Sequence, residues 1–151
     1  MAKITHKGLW IEISSLNPAD KKNYIRALIS FMLGAVLLGI HLAEIGFLSD
    51  KSVNVMSEPW LLILRIIMMI LFFIGALFHY KFSITQDDLF NSYQSASFVG
   101  GALGFLAFGL SLTALSPYFD FHPTFYEFFS AFALGTAIGG YYFYRKYIAE
   151  S

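Results

Sequence analysis

Four apolar runs dominate this sequence, at roughly Ile25–Phe47, Trp60–Tyr80, Tyr93–Leu115 and Phe125–Tyr144. A hydrocarbon core about 30 Å thick takes about 20 helical residues to cross, and each run is long enough. Away from water only helices and closed barrels satisfy every backbone group. The runs lack the period-2 alternation of barrel strands, which leaves helices. Short polar connections between them make successive helices antiparallel neighbours. The sequence therefore predicts an all-α fold, a polytopic four-transmembrane-helix antiparallel bundle with short loops. One domain covers residues 1–151, opening with an interfacial segment at 1–17.

Composition supports a membrane protein. Of 151 residues, 57% are hydrophobic and 13% charged, whereas soluble domains carry about 45–50% and about 25%. Ten basic and ten acidic residues cancel, so no global field points to nucleic acid. The absence of cysteine excludes disulfides, thiolate metal sites and a cysteine nucleophile.

Orientation follows from the basic residues near span ends. Lys3, Lys7, Lys21, Lys22, Arg26, Lys81, Arg145 and Lys146 fall on one side, while the connections on the other hold Lys51. Both termini are expected to be cytoplasmic, with the chain integral to a bacterial inner membrane. The same bias argues against a dual-topology transporter. The first 24 residues do not read as a cleavable signal, because the apolar run is too long and no small-x-small site follows it. Trp10, in the stretch Gly8–Ile13, suits the membrane interface.

Helix starts are marked by capping residues. Asn17-Pro18-Ala19-Asp20 reads as cap, first helical position and first-turn acid. Thr85 with Asp88, and Thr124 with Glu127, have capping-box spacing. Ser57-Glu58-Pro59 opens the second helix in a similar way.

Small residues at four-residue spacing let helix backbones come close in a membrane. Ala96, Gly100 and Gly104 form such a stripe on the third helix, and Ala131, Gly135 and Gly139 on the fourth. On the first helix Ala35, Gly39 and Ala43 share one face, and Ser30, Gly34, Leu37, His41 and Glu44 the opposite one. Helices 1, 3 and 4 are expected to pack tightly, and the bulkier helix 2 to show more surface to lipid or a partner.

His41, Glu44 and Arg65 form an intramembrane polar cluster. Glu44 lies about one turn from the end of helix 1, and Arg65 enters helix 2 to a matching depth. An ionisable residue inside a span is a functional hypothesis. The readings open here are a structural Glu44–Arg65 ion pair, a ligand or ion site that includes it, and an Arg65 that snorkels outward. His41-x-x-Glu44 has no second ligand motif facing it, so no metal is expected. His41 and His79 lie too far apart along the membrane normal to ligate one haem iron, so no cofactor is expected either. Tyr118, Asp120, His122 and Tyr126 read as an interfacial loop cluster. Tyr141, Tyr142, Tyr144 and Tyr147 with Arg145 and Lys146 read as an aromatic and basic anchoring belt.

The sequence holds no Gly-x-Ser-x-Gly, no phosphate-binding lysine loop, no His-Glu-x-x-His and no dinucleotide fingerprint, so no enzyme is expected. The leading expectation is a non-enzymatic protein that acts through helix–helix contacts. It would be an accessory subunit of a membrane complex or a homo-oligomer, with lipid and other membrane subunits as partners. One alternative is a small transporter or channel with its polar site at His41, Glu44 and Arg65. Another is a binder of a lipid or quinone-like ligand among the abundant aromatics.

Overall fold

Four long helices account for most of the chain: α1 (Pro18–Glu44), α2 (Glu58–Ser83), α3 (Asp88–Phe119) and α4 (Phe125–Tyr147). The computed structural model describes residues 6–7, 10–47, 56–119 and 122–149. A short antiparallel ladder, β1 (His6–Lys7) with β2 (Trp10–Ile11), and a single 3-10 turn at Ile13–Ser15 precede α1. Lys3, Lys51 and Asp120, singled out above, lie outside the described residues.

Helices α1, α2 and α3 are each long and apolar enough to cross a membrane. Helix α4 falls short of that measure. Gly135, Gly139, Gly140 and Thr136, together with tyrosines at its end, dilute its apolar content. The chain divides into two compact units, one holding α1 and α2 and the other α3 and α4.

In the first unit the two helices run antiparallel, and each step along α1 is matched by a step back along α2. Phe31 fills the space over Gly75, where an added Cβ would come within 2.9 Å of its ring. Phe72 does the same over Gly34, at 3.3 Å. The two rings meet each other with centroids 6.4 Å apart. Further along, Tyr24 lies against Phe82 at 5.2 Å, and Phe82 is fully buried at 0% exposure. Helix α2 is thus a close partner of α1, although it offers one glycine notch and no small-residue stripe.

In the second unit the contact is backbone on backbone. A Cβ on Gly100 would stand 2.5 Å from the Gly135 carbonyl oxygen, and one on Gly104 would stand 2.6 Å from that of Ala131. A Cβ on Gly139 would stand 2.6 Å from the Ala96 carbonyl oxygen. The stripe at Ala96, Gly100 and Gly104 therefore faces the stripe at Ala131, Gly135 and Gly139. Aromatic rings close the flanks of this contact, with Phe98 on Phe132 at 5.6 Å and Phe105 on Phe128 at 5.5 Å.

Helix ends follow the cap residues, with two differences from the sequence reading. Asn17 Oδ1 accepts from the backbone N–H groups of Ala19 and Asp20, and Thr124 with Glu127 forms the full capping box. The cap of α3, however, is Asp87, whose Oδ1 accepts from Phe90 N at 2.9 Å. Thr85 is engaged elsewhere: its hydroxyl lies 2.7 Å from Asp20 Oδ1 and 2.7 Å from the Phe82 carbonyl oxygen. Ser57 makes no side-chain cap bond, and Pro59 in the first turn lowers the number of N–H groups to satisfy. Near the far end of α3, Pro117 leaves the Thr113 carbonyl without its helical donor, and the Ser116 hydroxyl donates to that oxygen at 3.1 Å.

The two kinds of glycine are separable by experiment. Gly100→Ala forces a Cβ onto the Gly135 backbone and should cost about 1–3 kcal/mol as overpacking. A Cβ on Gly39 meets nothing within 4 Å, so Gly39→Ala should be neutral or gain up to about 1 kcal/mol of helix propensity. Reversible unfolding in detergent, followed by circular dichroism, measures both.

Candidate functional site

The face of α1 that carries Ser30, Gly34, Leu37, His41 and Glu44 is the face turned toward α2. Ser30, Gly34 and Glu44 are buried and His41 is half-buried, whereas Ala35 and Gly39 on the other face are exposed. The apolar part of this inward face packs on rings, and its C-terminal end is polar.

Arg65 reaches across from α2. Its Nε donates to His41 Nδ1 at 3.4 Å, the long end of hydrogen-bond distance. An arginine Nε–H can only donate. The Nδ1 must therefore be the accepting nitrogen, and a neutral His41 ring carries its proton on Nε2. The sequence matched Arg65 to Glu44 by depth, but the guanidinium's hydrogen bond goes to His41, one turn before Glu44 on α1.

Glu44 is buried, at 7% exposure, and its Oε1 accepts from the Met56 N–H at 3.1 Å. Met56 precedes α2 by two residues. The carboxylate therefore joins the end of α1 to the chain entering α2. A backbone N–H so close to the hydrocarbon needs an acceptor, and a carboxylate is a stronger one than a neutral group. Gly46, with φ of 71°, supplies the left-handed turn that ends α1.

Chemically the cluster combines a permanent cation, an imidazole and a carboxylate at one end of the α1–α2 unit. Among the described residues, no three His, Asp or Glu side chains converge as metal ligands would. The arrangement suits hydrogen bonding to an anion or to backbone.

The opposite end of the same unit holds a second buried carboxylate that the sequence reading took as a first-turn acid. Asp20 accepts from Asn17 Nδ2 at 2.6 Å and from the Thr85 hydroxyl at 2.7 Å, tying the start of α1 to the turn after α2. Nearby, Arg26 and Lys81 both stand over the Phe78 ring, at 5.1 and 5.8 Å from its centre. His79 lies between Phe31 and Phe82, each at 6.4 Å.

In the α3–α4 unit, Asp88, Ser92, Tyr142, Phe143 and Tyr147 line an open groove of ≈ 650 Å³. Lys146 stands over the rings of Tyr147 and Tyr142 at 5.1 and 5.9 Å. Tyr118 and His122 are exposed, and Tyr126 contacts Phe125 at 5.9 Å.

Compared with known proteins, the chain matches no family model, and no match is found among curated proteins or solved structures.

The contacts at the polar end predict a pattern of losses. A cycle of His41→Ala and Arg65→Ala should give a coupling energy of about 0.5–1.5 kcal/mol in detergent unfolding. Glu44→Leu, which strips the acceptor from Met56, should cost about 1–3 kcal/mol. Strict additivity in the first case would remove the Arg65–His41 contact from the account.

Proposed function

We propose that the chain is a non-enzymatic integral membrane protein that acts through helix–helix contacts, as an accessory subunit or a homo-oligomer. In this reading α4 is a fourth crossing and both termini are cytoplasmic in a bacterial inner membrane. One observation carries it. Helix α2 leaves the Ala35–Gly39 face of α1 uncovered, and among the described residues nothing lies within 4 Å of a Cβ placed on Gly39. A surface meant for lipid gains from bulky apolar side chains, as α2 presents with Leu62, Ile66 and Phe73. Small residues at four-residue spacing instead favour another backbone at close range.

A second reading, a small transporter or channel at His41, Glu44 and Arg65, is favoured by the half-buried charge of Arg65. Against it, the cluster sits near the end of both helices rather than at the midplane where transporter sites lie.

The chain has no cysteine, so a single introduced thiol reports its own neighbours. Under mild oxidation in membranes, Gly39→Cys should give a disulfide-linked dimer or an adduct with a partner subunit, whereas Phe73→Cys should give none. A monodisperse monomer that crosslinks at neither position and brings down no other protein would sink the reading.

A further inference from the structure

We propose that Arg65 binds the phosphate of a phospholipid headgroup at the membrane face where α1 ends and α2 begins. This goes beyond the helix-contact reading and does not depend on it.

The first support is the state of the guanidinium. Arg65 is half-buried, and its Nε is taken by His41 Nδ1. Among the described residues, no buried side-chain nitrogen or oxygen lacks a hydrogen-bond partner. Among the described residues the Nη groups of Arg65 make no hydrogen bond to the protein, and they are not fully buried. The Nε–H that bonds His41 runs parallel to one Nη–H, while the end-on edge formed by both Nη groups points in a different direction of the guanidinium plane. That pair is permanently charged and shaped for two oxygens of one phosphate.

The second support is depth. Helix α2 has 26 residues, a length of about 39 Å, close to the about 40–45 Å of a bilayer with its headgroups. Arg65 lies seven residues past Glu58, about 10 Å along the helix, just inside the hydrocarbon boundary. Trp60, 65% exposed, sits in the stretch between, where an interfacial tryptophan belongs. From that depth an arginine reaches back to headgroup level. An anion at that level offsets the cost of holding the charge near hydrocarbon.

The third support selects a lipid over a free ion. Leu62 and Met69, three residues before and four after Arg65, flank it on its own face of α2, and both are exposed apolar side chains. A phosphate that arrives with acyl chains attached covers them, and a hydrated soluble phosphate does not.

The test uses the full chain in neutral detergent. Native mass spectrometry would count bound phosphatidylglycerol, with diacylglycerol of the same chains as the phosphate-free probe. The wild type should bind phosphatidylglycerol in preference to diacylglycerol. Arg65→Gln should lose about tenfold in that binding, and Arg65→Lys, which keeps the charge without the fork, should lose severalfold. Addition of inorganic phosphate should not displace the lipid. Equal binding of the two lipids would overturn the proposal, as would unchanged phosphatidylglycerol binding by Arg65→Gln. Displacement by inorganic phosphate would reassign the site to a soluble ion and overturn the lipid. Should Arg65→Gln fail to fold, Arg65→Lys carries the same test, and unchanged binding there is equally fatal.

Discussion

Inside a bilayer, apolar helices gain nothing from leaving water for each other, since lipid is as apolar as leucine. What holds them is the closeness of their surfaces, because dispersion falls off within fractions of an ångström. Both helical units of this chain show such closeness, by different means. In α3–α4 two rows of small residues let main chain lie on main chain, with Gly100 and Gly135 at the centre. In α1–α2 each helix offers one glycine notch, and the other fills it with a phenylalanine ring. The first solution spreads contact along a seam; the second concentrates it at two points.

Polar groups then secure the ends. The α1–α2 unit is closed at one end by Asp20 and Thr85 and at the other by Glu44 and the Met56 N–H. Each of these bonds joins residues far apart in the chain, and each spares a polar group from facing hydrocarbon unpaired. Within α3 and α4 the hydroxyls of Ser111, Thr113 and Thr136 bond to carbonyls one turn back, which keeps them satisfied without any partner helix.

Local chemistry was the legible part of the sequence. The caps at Asn17 and Thr124 depend on residues within one turn, so their spacing was enough to place them. Thr85 has the same spacing to Asp88, yet Asp20, contributed by another helix, claims its hydroxyl, and Asp87 caps instead. No local pattern contains that competition. Glu44 shows the same limit, because its partner is a backbone group at the far end of the α1–α2 connection. Depth matching brought Arg65 to the right level on α1 but could not choose between His41 and Glu44, which stand on one face a turn apart. The lone Gly75 carried little signal as a stripe. Read as a notch, with Phe31 and Gly34 as the complementary pair on α1, it would have named α2 as the partner of α1.

The reciprocal notches also decide how the α1–α2 unit can move. Sliding α1 by one turn would carry Phe31 off Gly75 and onto His79 or Leu71, and would bring Phe72 against Ser30 or Leu38. Each of these positions carries a side chain where the notch has none, and at His79, Leu71 and Leu38 it is a bulky one. A slip of one whole turn would empty both notches at once, so the two glycine–ring pairs fix the register of α1 on α2.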